Sequence, residues 1–164
     1  MKLLLVLLML PMFAYAAKVD ESTVYKVCKE KGFSDCKLVN ALAKHERGYN
    51  ARKFNPEKTG SMGLMQIQCG TAKMIGYRNC KQLFNASHNL AVGMDYLDRI
   101  KKENNIKNVR TWLAAWNAGA PIVCKKYNEG KCKPGQFINQ AYVNEVYAVY
   151  KNMKEPTDVT REDI

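Results

Sequence analysis

Apolar residues recur at three- and four-residue spacing along most of the chain, the signature of helices with one buried face. Val24 and Val27 mark a first helix, with Asp20 placed to cap its start and Gly32 near its end. Leu38, Val39, Leu42 and Ala43 mark a second, capped by Ser34 or Asp35 and reaching about Gly48. From Tyr49 to Gly63 the pattern breaks. This stretch is rich in Asn, Lys and Gly and holds Pro56, so a loop is predicted. A loop of that length inside a compact domain usually carries function. Met65 to Ile75 reads as a third helix. Asn85 to Glu103 reads as a fourth, with Leu90, Met94, Leu97 and Ile100 on one face. Asn108 caps a shorter helix through Trp112 and Trp116, and Lys125 to Gly135 reads as a loop clipped by cysteines. Gln136 to Met153 closes the fold with Phe137, Ala141, Val146 and Val149. No strand pattern of comparable strength and no internal repeat is present. The prediction is a mainly α, single domain.

The ends of the chain carry different signals. Lys2, the apolar run Leu3 to Leu10 and the small-x-small triplet Ala14-Tyr15-Ala16 together read as a secretory signal peptide over residues 1–16. The folded domain is then expected over 17–153, with a charged, frayed tail over 154–164. No other apolar stretch is long enough to span a bilayer, so no stable membrane insertion is expected after cleavage. The expected location is secreted or periplasmic.

Charge and cysteines sharpen this picture. Lys and Arg number 26 against 15 Asp and Glu, a formal net charge of +11. An exported protein so basic meets anionic polymers: cell wall, lipid headgroups or extracellular nucleic acid. The basic residues lack interleaved aromatics of the stacking kind, so nucleic acid is not expected. All six cysteines, Cys28, Cys36, Cys69, Cys80, Cys124 and Cys132, follow the signal. An even count in a small exported domain implies disulfides, and several connectivities are open. Sequential pairing is expected because the cysteines of each such pair lie close in the chain; each small loop would stabilise by about 3 kcal/mol at most. Zinc is disfavoured, since there is no CxxC and His45 and His88, read as surface residues, sit at no ligand spacing. No metal or cofactor is expected.

Glu46 is a candidate for chemistry, although by position alone a Glu at a helix end is more often a solvated surface charge. It lies near the end of an apolar-faced helix, where the chain enters the Gly- and Asn-rich loop. A carboxylic acid in a partly desolvated site can deliver a proton to a leaving oxygen, the step that glycosidic bond cleavage requires. Its neighbours Lys44, His45 and Arg47 are expected to point elsewhere, following the helical period.

Four blocks in this sequence resemble a known family in order. Glu46-Arg47-Gly48-Tyr49-Asn50, then Gly60-Ser61-Met62-Gly63-Leu64-Met65-Gln66-Ile67 and Thr71-Ala72, form the first. Asn89-Leu90 with Gly93 and Tyr96-Leu97 form the second, Ala114-Ala115-Trp116-Asn117-Ala118-Gly119 the third, and Tyr142-Val143 with Val146 the fourth. They resemble the motifs of the soluble lytic transglycosylase catalytic domain, a lysozyme-like domain related to goose-type lysozymes, and span about residues 36 to 152. Arg47 and Ala51 depart from the family's Ser and Pro, and Phe54-Asn55-Pro56 offers a second aromatic-Asn-Pro; Asn50 keeps the spacing from Glu46 and is preferred as the counterpart.

The resemblance implies a disulfide-stapled, lysozyme-like fold with a substrate cleft, and peptidoglycan glycan strands as substrate. It implies that Glu46 protonates the bond between N-acetylmuramic acid and N-acetylglucosamine and then serves as base while a 1,6-anhydro sugar closes. Ser61, Met65 and Gln66 would line the cleft beside it, Asn117 and Tyr142 would position sugar or Glu46, and Trp116 would offer a flat face to a pyranose. Trp112 is expected in the core. Two alternatives stand beside this: a true muramidase, for which Asp35, Asp95 or Asp98 would have to supply a second carboxylate, and a non-catalytic cationic wall-binding protein. Wall turnover, a secretion apparatus and a phage are all contexts that fit, with a monomer as the expected state.

Overall fold

The computed structural model describes residues 19–56, 60–125 and 133–154. The expected signal peptide, Cys132 and all but the first residue of the expected tail lie outside the described residues. Helix α1, Glu21–Lys31, starts where predicted, with Asp20 Oδ1 accepting the Thr23 amide at 2.9 Å. Of the two candidate caps for α2, Cys36–Arg47, Asp35 is the one used, accepting the Leu38 amide at 2.9 Å. Each cap satisfies an amide that has no partner inside its own helix. Helices α4, Ala86–Glu103, and α5, Val109–Ala118, are capped by Asn85 and Asn108 in the same way.

The chain between α2 and α4 departs from the prediction. It contains a small antiparallel sheet in the order β1 (Phe54–Asn55), β2 (Ser61–Met62) and β3 (Ile67–Gln68). Strands of two residues are too short to show alternation, so the sequence pattern could not reveal them. The predicted helix over Met65 to Ile75 is corrected to α3, Cys69–Met74. Gln66 takes a left-handed backbone (φ 48°) and Ile67 pairs with Met62, both incompatible with helix. A 3-10 turn over Cys80–Phe84 follows. Helix α6, Gln140–Asn152, begins later than expected because Phe137 is bridged to Val123; Ala141 is exposed rather than core.

The core is one cluster drawn from all the long helices. α1 packs on α2 and α4, and α6 on α2 and α5. Val24, Leu38, Leu42, Leu90, Met94, Leu97, Leu113, Val143 and Val146 are fully buried within it. Trp112 belongs to this core as expected, its indole N–H donating to the Leu97 carbonyl at 3.0 Å. Cys28–Cys36 clips α1 to α2, and Cys69–Cys80 clips α3 to the 3-10 turn. Both are sequential pairs, and four cysteines are thereby disulfide partners rather than metal ligands. The third expected pair contains Cys132 and so falls outside the described residues.

One buried side chain ties the sheet to the helical body. Asn89, on α4, accepts the Met65 amide at 2.8 Å and donates to the carbonyls of Met62 and Leu83, each at 2.9 Å. Two glycines make this approach possible. A Cβ on Gly63 (φ 75°) would lie 2.3 Å from the Leu83 carbonyl oxygen and from Asn89 Nδ2. A Cβ on Gly93 would lie 2.3 Å from the Met65 sulfur, so α4 and the turn before β3 approach more closely than any side chain there permits.

Candidate active site

A cleft of about 630 Å³ opens between the sheet and the ends of α2, α5 and α6. The sheet register builds one wall. Asn55 pairs with Ser61 and Ser61 with Gln68, so these three share one face of the sheet, and all line the cleft. Gln66, held by its left-handed backbone, joins them; its amide nitrogen donates to the Gly63 carbonyl at 2.9 Å and the Lys53 carbonyl at 3.3 Å.

The other wall is helical. Glu46 sits in the last turn of α2 and Tyr142 in the first turn of α6, and the packing of these two helices brings them together. The Tyr142 hydroxyl donates to Glu46 Oε1 at 2.7 Å. Burial, then the neighbouring Glu46 charge and this hydrogen bond, push the Tyr142 phenol well above the usual tyrosine range. Tyr142 therefore remains a donor at any physiological pH, and it fixes the direction of the Glu46 carboxyl. Trp116 and Asn117, in the last turn of α5, complete this side, with Tyr96 of α4 tilted against Trp116 at a centroid distance of 5.5 Å.

The structure therefore brings Glu46, Ser61, Gln66, Trp116, Asn117 and Tyr142 into one groove. Met65 is corrected: it does not face the cleft. Its side chain is fully buried beneath the sheet, against Gly93. His45 and His88 are corrected too, since both are half-buried. His45 lines the cleft, its ring edge-on to Tyr142 and Nε2 3.2 Å from Glu145. His88 packs edge-on to Tyr77. Lys44 points to solvent as expected. Asn55 rather than Asn50 reaches the cleft; Asn50 is exposed and accepts the Arg52 amide within its own turn. Gln68, Thr71 and Tyr96 are among the cleft residues that the sequence did not place there, and Asn55 is offered only through the second aromatic-Asn-Pro. The sheet register, invisible in two-residue strands, is what puts Gln68 in the cleft and chooses Asn55 over Asn50.

Among the described residues that line the cleft, Glu46 is the one carboxylate. The three aspartates considered as partners are engaged elsewhere or lie outside. Asp35 caps α2 at its far end and accepts the Tyr150 hydroxyl. Asp95 holds Lys31 at 2.7 Å and accepts the Tyr77 hydroxyl, and Asp98 is exposed.

A sequence model described as the transglycosylase SLT domain matches residues 24–139. The match starts within α1, takes in α2 to α5, the sheet and Glu46, and ends just before α6, which supplies Tyr142.

Proposed function

This chain belongs to the transglycosylase SLT domain family, the lysozyme-like domain that cleaves peptidoglycan glycans, and from that premise we propose that it is a lytic transglycosylase with Glu46 as its single general acid and base. The observation that carries the reading is the Glu46–Tyr142 hydrogen bond at the centre of a polar cleft in which no second described carboxylate faces Glu46.

The chemistry follows from that arrangement. Glu46 gives its proton to the glycosidic oxygen of N-acetylglucosamine as the bond to C1 of N-acetylmuramic acid breaks. Positive character develops at C1. The muramoyl C6 hydroxyl of the same sugar closes on C1, and its proton returns to Glu46. One C–O bond breaks, one forms, and the carboxyl ends as it began, without water entering the product. The nucleophile is part of the substrate, so the second carboxylate that hydrolysis calls for, at about 5–9.5 Å, has no job here. Tyr142 holds the carboxyl toward the scissile bond. Trp116 stacks on a pyranose ring, and Gln66, Ser61 and Asn117 grip sugar hydroxyls and amides. The cationic surface favours the anionic wall polymer.

Mass spectrometry of digested murein sacculi tests this. Products should end in 1,6-anhydro-muramic acid; reducing-end muramic acid in its place would reject the transglycosylase in favour of a muramidase. Glu46→Gln, checked for folding by circular dichroism, should slow product release by about 10²–10⁴-fold. Undiminished release would mark the cleft as a wall-binding surface.

A further inference from the structure

Two amides at the edge of the cleft have their polarity set from behind. Asn139, just before α6, donates from Nδ2 to the Ala114 carbonyl at 3.0 Å and to Asn117 Oδ1 at 2.9 Å. A carbonyl only accepts, so the Asn139 atom facing Ala114 must be the amino nitrogen. That same nitrogen meets Asn117, so Asn117 must turn its oxygen inward. Asn139 Oδ1 is left buried with no partner among the described residues. Flipping Asn139 would set oxygen against oxygen at both positions and leave its nitrogen unpartnered, which is worse than one orphan acceptor. The orientation is thus locked.

From this pair we infer that Asn139 is a positioning residue that turns Asn117 into an obligate hydrogen-bond donor toward the glycan. With its oxygen drawn toward Asn139, the Asn117 side chain turns its amino group to the cleft it lines. Sugar hydroxyls accept or donate equally well, so they do not sense this polarity. The acetamido carbonyl does, because it can only accept. A glucosamine ammonium, which only donates, is repelled. The Asn139–Asn117 pair therefore selects N-acetylated over de-N-acetylated murein sugars. The inference rests on the glycan-cleft reading given above and deepens it.

Equilibrium binding tests it independently of turnover. Peptide-free murein glycan strands, fully N-acetylated or chemically de-N-acetylated, are titrated calorimetrically into the Glu46→Gln protein with and without a second change at Asn139. Asn139→Asp cannot donate, so Asn117 should reverse and present its oxygen. Affinity for N-acetylated strands should fall about 3- to 10-fold, while affinity for de-N-acetylated strands holds or rises. Asn139→Ala, which frees Asn117 to rotate, should bring the ratio of the two affinities toward one and serves if the Asp variant fails to fold. Equal losses on both strands would indicate a merely structural residue and overturn the inference, as would an unchanged ratio. Anhydro products from the unaltered enzyme decide the reaction itself, so the two readings fail separately.

Discussion

The two walls of the cleft are built on different principles. On the helical wall, cleft side chains are aimed by other side chains: Tyr142 holds Glu46, and Asn139 holds Asn117. Their helices are fixed by apolar packing that needs none of those hydrogen bonds. On the sheet wall the backbone does the aiming. Asn55, Ser61 and Gln68 share a face because of strand register, and the register depends on Asn89 beneath it. Removing a hydrogen bond from the helical wall should therefore damage chemistry with little effect on stability. Removing those beneath the sheet wall should damage both together.

Asn89→Ala is the hardest test of that contrast. It strips partners from the Met65 amide and two carbonyls in a site with no exposure to water, and should cost about 3 kcal/mol of stability in urea unfolding as well as most of the activity. A normally stable Asn89→Ala protein would show that the sheet is held by something else. Tyr142→Phe makes the opposite cut. Murein release should drop about 3- to 10-fold while the unfolding midpoint barely moves, since a single hydrogen bond disappears from a wall already packed by Val143 and Val146.

The smallest effect concerns alkaline stability behind the sheet wall. Burial, and then the Asp95 hydrogen bond and charge, push the Tyr77 phenol up to about 12 from 10.0. A pKa raised by folding favours the neutral phenol in the native state, so this contribution is intact below pH 10 and is lost as pH climbs toward 12. Tyr77→Phe should flatten the decline in thermal midpoint across that window, with activity near neutral pH unchanged. An unaltered slope would mean that Tyr77 ionises as freely in the folded state as in the unfolded one.

Much of the molecule is legible in its sequence. Period and caps locate α1, α2, α4 and α5 because apolar stripes and Asp or Asn caps are local signals. The motif blocks point to Glu46, Gln66 and Asn117, and the structure supplies the physics behind their less obvious members. Asn89 knits loop to helix, and Gly93 leaves room for Met65. The resemblance implies Met65 in the cleft beside Gln66; a left-handed turn sends the two side chains to opposite sides. Sequence alone puts His45 on the surface because it treats α2 as isolated, when α6 lies against that face and supplies Glu145 and Tyr142.

The helical frame is written in spacing and caps along single segments, and Glu46 stands out only through motif blocks spread along the chain. The direction of each group in the cleft comes from the folded chain instead: the Tyr142 bond to Glu46, the row Asn55–Ser61–Gln68, and the polarity of Asn117. Each depends on separate segments meeting through packing, 96 positions apart for Glu46 and Tyr142, and no local pattern records which atoms will face one another.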